Sequence, residues 1–237
     1  MNVRRTIMRS TRCLAAVLGI GFALCMSTNM ALADDHADSS QLTAQWWQWA
    51  FSIPTGQNPL VDQSGGNCMV GQRGSIWFLG TVVPVSPSTK ATRACKVPEG
   101  TTLFFPVINA LGYNSPNCQQ DSKNISARDL RTAVGGAINS VKLNDLDVDL
   151  DHKAIYHFDR VQSDVFAITM PADNISGNNT TIQRCAAGVY SPAVDDGYYL
   201  KLDPLKIGPH TLHIQSKSPV ASFDVTYNLS VVNVLEK

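Results

Sequence analysis

Residues 223–231 read FDVTYNLSV, an unbroken alternation in which Phe223, Val225, Tyr227, Leu229 and Val231 are separated by Asp224, Thr226, Asn228 and Ser230. A period of two over nine residues describes an antiparallel strand with one face on a core and the other in water. Upstream, Ile207-Gly208-Pro209 reads as a turn and 211–215 (TLHIQ) as a further strand. The series continues back through 197–202, 161–170 and 154–160 to 141–143, which turns at Asn144-Asp145. Earlier still, 75–83 (SIWFLGTVV) and 101–108 (TTLFFPVI) are continuous apolar runs rich in β-branched and aromatic residues. They read as buried strands, with 98–100 (PEG) the turn into the second. Seven or more short strands with frequent turns predict a mainly-β chain, an Ig-like or jelly-roll β-sandwich. A small barrel is the alternative.

Two helices are expected beside the strands. Ser126 and Asp129 form a capping box, and Leu130, Val134 and Ile138 follow at helical spacing, which places one helix near 126–140. A short N-terminal helix, 41–51, would be capped by Ser40 and would end before Pro54. Residues 54–74 are rich in Gly, Pro, Asn and Asp and read as loop.

The first 33 of the 237 residues have the features of an export signal. Arg4, Arg5, Arg9 and Arg12 precede an apolar run over 14–26, and Ala31-Leu32-Ala33 supplies a small-x-small cleavage site. Arg4-Arg5 partly matches a twin-arginine signal. Residues 34–40 are expected to be a flexible mature N-terminus, and 41–237 a single domain. The leader would carry off four arginines and leave 15 Lys+Arg against 19 Asp+Glu. With no basic stripe, nothing predicts nucleic-acid binding, and no later apolar stretch is long enough to predict a membrane span.

Cys13 and Cys25 lie in the leader, so Cys68, Cys95, Cys118 and Cys185 remain. An even number in an exported chain predicts two disulfides. Three connectivities exist, and Cys68–Cys95 with Cys118–Cys185 is favoured because each closes a local loop.

No catalytic or cofactor signature is legible. Asp145, Asp147, Asp149 and Asp151 alternate with apolar residues, but His152 stands where an EF-hand starting at Asp147 needs glycine. The run therefore reads as an acidic strand face or hairpin edge. The candidates for acid–base chemistry are Asp62, His157, Asp195, Asp196 and His210. His157 and Asp159 would share a strand face, whereas His210 and His213 would not. If cleavage follows Ala33, Asp34-Asp35-His36 would offer four nitrogens in a plane to Cu(II) or Ni(II). Candidate ligand-binding aromatics are Trp47, Trp77, Tyr113 and Tyr198, with Tyr190 and Tyr199 alongside. In QWWQWAFSIP, residues 45–54, Trp46 and Trp49 share a helix face that would pin the helix to the sandwich. Trp47 lies about 100° around from Trp46, the one of the three with a prospect of meeting a ligand.

Several stretches resemble a family of exported bacterial proteins to which no activity is attached. They are WWQWAFSIP (46–54), NPLVDQSGGNCMVGQRGSIWFLGT (58–81), CKVPEGTTLFFPVIN (95–109), RVQSDVFAITMPADN (160–174), GVYSPAVDDGYYLKLDPLKIGPHTLHI (188–214) and FDVTYNLSVV (223–232). The chain departs from the family at Gln215-Ser216, where the pattern has a glycine pair. The resemblance implies one domain over 46–232 and supports the Cys68–Cys95 pairing.

Three functions are consistent with these features. The first is an exported, periplasmic or extracellular, non-catalytic module that binds a glycan or another cell-envelope component. The second is a hydrolase of envelope polysaccharide or a small ester, using aspartates with a histidine. The third is a structural or adhesin-like assembly protein that pairs through sheet edges.

Overall fold

In the computed structural model, the structure describes residues 35–83, 88–116, 118, 120–177 and 185–233, with the side chains of 35–38 left aside. All of them fall in one unit, Ala33–Lys237. The expected leader lies outside the described residues.

Among the described residues, ten strands form two five-stranded sheets, the β-sandwich expected from the alternating pattern. In chain order the strands are β1 (Ile76–Phe78), β2 (Lys90–Pro98), β3 (Thr102–Tyr113), β4 (Leu146–Leu150), β5 (Lys153–Ala154), β6 (Asp159–Gln162), β7 (Phe166–Met170), β8 (Gly188–Leu202), β9 (Gly208–Lys217) and β10 (Ser222–Val232). The helices are α1 (Asp35–Ser52) and α2 (Ala127–Asn139). One sheet runs β1-β3-β8-β6, with β7 also on β8, and the other runs β2-β10-β9-β4-β5. Most pairs are antiparallel, but β1 with β3 and β2 with β10 are parallel.

The second sheet behaves as the period-two pattern requires. On β10 the buried residues are Phe223, Val225, Tyr227, Leu229 and Val231. They pack with Val148 of β4, with Leu212 and Ile214 of β9, and with Leu103, Phe105 and Val107 of β3 across the sandwich. The aspartate run lies partly on β4, where Leu146 and Val148 are buried while Asp147 and Asp149 point away. Asp149 Oδ1 accepts from the His152 N–H at 2.7 Å, closing the β4–β5 hairpin.

The first sheet is buried on both faces, which is why its strands read as continuous apolar runs. Leu103 and Phe105 face the other sheet, whereas Phe104 faces α1 together with Tyr199 and Ile168. Helix α2 covers the far end of the inner face, with Leu130 and Val134 on Val194 of β8. Its N-cap forms, the Asp129 N–H donating to Ser126 Oγ at 3.2 Å and Ser126 Oγ donating to Asp129 Oδ2 at 2.7 Å.

Several boundaries differ from expectation. Helix α1 begins at Asp35, well before Ser40. Ser40 lies within the helix, its carbonyl accepting from Thr43 Oγ1 at 3.0 Å. Strand β8 starts nine residues before the expected 197, at Gly188, because burial on both faces overrides the breaker signals of Pro192 and the polarity of Asp195-Asp196. The region expected as strands over 154–160 and 161–170 resolves into β5, β6 and β7. Strand β2 was not expected. Its alternation, Ala91, Arg93, Cys95 and Val97 inward, is disguised by an arginine in a core position. All five N–H donors of Arg93 are satisfied, by the carbonyls of Leu60, Asp62, Gly80 and Thr81 and by Tyr227 Oη. The side chain thus nails two loops to the sheet through neutral acceptors.

Both expected disulfides are present, Cys68–Cys95 and Cys118–Cys185. No described helix is long and apolar enough to cross a membrane.

Candidate functional site

Helix α1 is buried around most of its circumference. Trp46, Trp47 and Trp49 are all buried, as are Leu42, Ala50 and Phe51. Trp46 Nε1 donates to the Leu79 carbonyl at 2.8 Å and Trp49 Nε1 to the Val70 carbonyl at 3.0 Å. Trp47 Nε1 reaches Asp195 Oδ1 at 2.6 Å. The prospect of a solvent-facing Trp47 is therefore not met. The sheet covers one side of the helix and residues 58–79 cover the other, so two separate faces are buried.

Among its described side chains, those that α1 leaves exposed form a single stripe, Gln41, Gln45, Gln48 and Ser52. These fall at i, i+4, i+7 and i+11, one line along a helix. The signal in the sequence is the recurrence of polar residues at helical spacing, with Gln48 set between Trp47 and Trp49.

The stripe forms one wall of a cleft of about 690 Å3, a volume within the range of small-ligand sites. It is lined by Gln45, Gln48, Trp49 and Ser52 of α1, by Gly71, Arg73, Gly74 and Ser75 of the segment before β1, and by Ile76 and Phe78 of β1. The rings of Trp49 and Phe78 lie 5.6 Å apart, inclined at 46°. Gln48 Nε2 donates to the Ala167 carbonyl at 3.0 Å, where the β7–β8 ladder slips register. Ser52 Oγ donates to the Trp49 carbonyl at 2.9 Å and keeps its lone pairs for other donors.

The far wall is built by Gly71-Gln72-Arg73-Gly74. Gly71 has φ +72°, and a Cβ there would come within 2.9 Å of the Trp49 ring, so only glycine fits. Strand β1 is the outer strand of its sheet. Ser75 and Leu79 bond to β3, through Thr102 N–H to Ser75 O and Leu79 N–H to Phe104 O, so Ile76 and Phe78 turn their backbone groups outward. Gln72 closes this edge. Its Oε1 accepts from Phe78 N–H at 2.9 Å and its Nε2 donates to Phe78 O at 2.7 Å. Arg73 bridges to Ile76. The guanidinium of Arg73 is exposed and, among the described residues, has no carboxylate within ion-pair distance.

The residues singled out for acid–base chemistry are not brought together. Asp195 and Asp196 are adjacent on β8 and fully buried, but they point to opposite faces of the sheet. Asp195 accepts from Trp47 and, at 2.8 Å, from Tyr199 Oη. Burial pushes its carboxyl up to about 8, against the lowering effect of these two hydrogen bonds. Asp196 is clamped by Arg160, through Nε at 3.0 Å and Nη2 at 2.9 Å, and by Gln162 Nε2 at 2.9 Å. Asp62 lies in a turn. Burial raises its carboxyl, but bonds from Asn67 and Ser64 outweigh that and hold it below the usual range. His210 lies between Asp151 Oδ2 at 2.7 Å and the Lys206 carbonyl at 2.8 Å. Two acceptors favour the doubly protonated ring, and its pKa is raised, first by Asp151. His157 and Asp159 form an exposed pair 3.6 Å apart.

Of the other aromatics, Trp77 is buried between the sheets with an unpartnered Nε1. Tyr113 is half-buried between Phe51 and Tyr190, and Tyr198 is half-buried on β8 beside Arg160. None of these lines the cleft. His36 falls in the first turn of α1, but the side chain and the chain start that its planar chelate needs lie outside those described. Among the described residues, no group of three or more His, Cys, Asp or Glu is placed to hold a metal.

No family model, curated protein or solved structure matches the chain.

Proposed function

We propose that the protein is an exported, non-catalytic binding module that holds a glycan or another cell-envelope component in the cleft between α1 and β1. The observation that carries this reading is the composition of the cleft: carboxamides and a hydroxyl of α1 together with a guanidinium that has no carboxylate partner among the described residues, and with the apolar side chains of Trp49, Ile76 and Phe78. Sugars present hydroxyls around their rim and C–H groups on their faces, so amides and aromatic surface are matched to both. The two disulfides favour an oxidising compartment, periplasmic or extracellular. The resemblance to exported bacterial proteins bears the same way, since the stretches 46–54 and 58–81 supply every cleft residue except Gln45.

A glycan array together with pull-down on isolated cell envelope tests the reading. Retention is expected, with backbone and side-chain amide NMR signals shifting at Gln45, Gln48 and Phe78, and Gln45→Ala weakening it severalfold. Retention with all shifts elsewhere, or no retention on either surface, would overturn it.

A further inference from the structure

Among the described residues that line the cleft, Arg73 is the only charged side chain. Its guanidinium is exposed and unpaired among the described residues, while its position is fixed by the backbone bridge to Ile76 and by the flanking Gly74, at φ +69°. Arg160 offers a contrast, since its fork is occupied by Asp196 at 3.0 and 2.9 Å. Arg93 offers another, all its donors being spent on the surrounding loops. A guanidinium presents a planar fork that matches a carboxylate with two parallel hydrogen bonds. In the same cleft, Gln45 and Gln48 supply amide donors and acceptors suited to ring hydroxyls, and Trp49 and Phe78 supply aromatic surface.

Building on the reading of the cleft as a glycan seat, we infer that its ligand is an acidic saccharide, a uronate-type sugar whose carboxylate pairs with Arg73 while its hydroxyls meet Gln45 and Gln48. Among the described residues no negative charge lines the cleft to repel the carboxylate, and a neutral sugar leaves the one lining charge without a counter-charge.

The test uses the disulfide-bonded protein, 15N-labelled, and two probes that differ only in charge: trigalacturonate and its methyl ester. An array of acidic and neutral oligosaccharides of other linkages extends the series. Acidic members are expected to shift the cleft signals and to bind roughly tenfold more tightly than their neutral counterparts. Arg73→Gln should abolish that preference, whereas Arg73→Lys should retain part of it, and added salt should weaken only the acidic members. Arg73→Gln keeps the backbone bridge, and an unchanged circular-dichroism spectrum would verify its fold. Equal binding of acid and ester, indifferent to Arg73→Gln, would overturn the acidic preference and leave the cleft as a glycan seat. If no oligosaccharide, acidic or neutral, shifts the cleft signals, both readings fall.

Discussion

At the scale of single residues, the adjacent aspartates of β8 show how one position along a strand changes chemistry. Asp196 faces Arg160, whereas Asp195 faces α1 and has only the neutral donors Trp47 and Tyr199. Desolvation therefore dominates at Asp195 and raises its carboxyl to about 8, with Asp196 adding to the rise and Arg131 opposing it. Above an unfolded value near 3.8, the unfolded chain releases a proton that the native state retains. This group's contribution to stability is therefore complete at acid pH and is lost as pH rises to about 8, at up to about 1.4 kcal/mol per pH unit. Asp195→Asn keeps an acceptor for Trp47 and removes the titration. Urea unfolding of both proteins at pH 5 and pH 8 is expected to show the variant gaining on the parent as pH rises. A difference that stays constant with pH would mean that Asp195 does not titrate in this window.

At the scale of elements, α1 and the edge of β1 carry the site. An N-terminal helix and its tryptophans were legible in the sequence because large apolar side chains at helical spacing must be buried. The burial of Trp47 was not, since helical angle specifies where a side chain points and not what covers it. Residues 54–74 read as loop, and loop they are in part, but Gln72 within them does the work of a neighbouring strand. Composition cannot reveal a side-chain amide standing in for a backbone amide. Gln72→Ala would leave Phe78 N–H and C=O unpaired at an outer strand. We expect a loss of about 1–2 kcal/mol in urea unfolding and concentration-dependent self-association in size-exclusion chromatography with light scattering. An unchanged midpoint and mass would show that the Arg73–Ile76 turn closes the edge unaided.

At the scale of the whole molecule, the disulfides tie loops to the sandwich. Cys68–Cys95 joins the segment after α1 to β2 across a separation of 27, and Cys118–Cys185 joins the segment after β3 to that before β8 across 67. Loop-closure entropy assigns them about 3.5 and 4 kcal/mol. Paired serine substitutions should lower guanidinium unfolding stability by those amounts, the longer loop losing more. A loss under about 1 kcal/mol would mean that the unfolded chain keeps these loops together without the bond. The sequence by itself determined the periods, and with them β9 and β10 of the second sheet, the capped α2 and the two-layer class. Each of these follows from local spacing, because side-chain direction repeats every two residues in a strand and every 3.6 in a helix. Tertiary structure alone decided that the first sheet is buried twice, that Arg93 belongs in a core, and that Asp195 meets Trp47 across 148 positions. It also decided that Gln45 and Gln48 of α1 line one cleft with Arg73. These depend on which distant segments cover one another, and that is set by the packing of the whole chain.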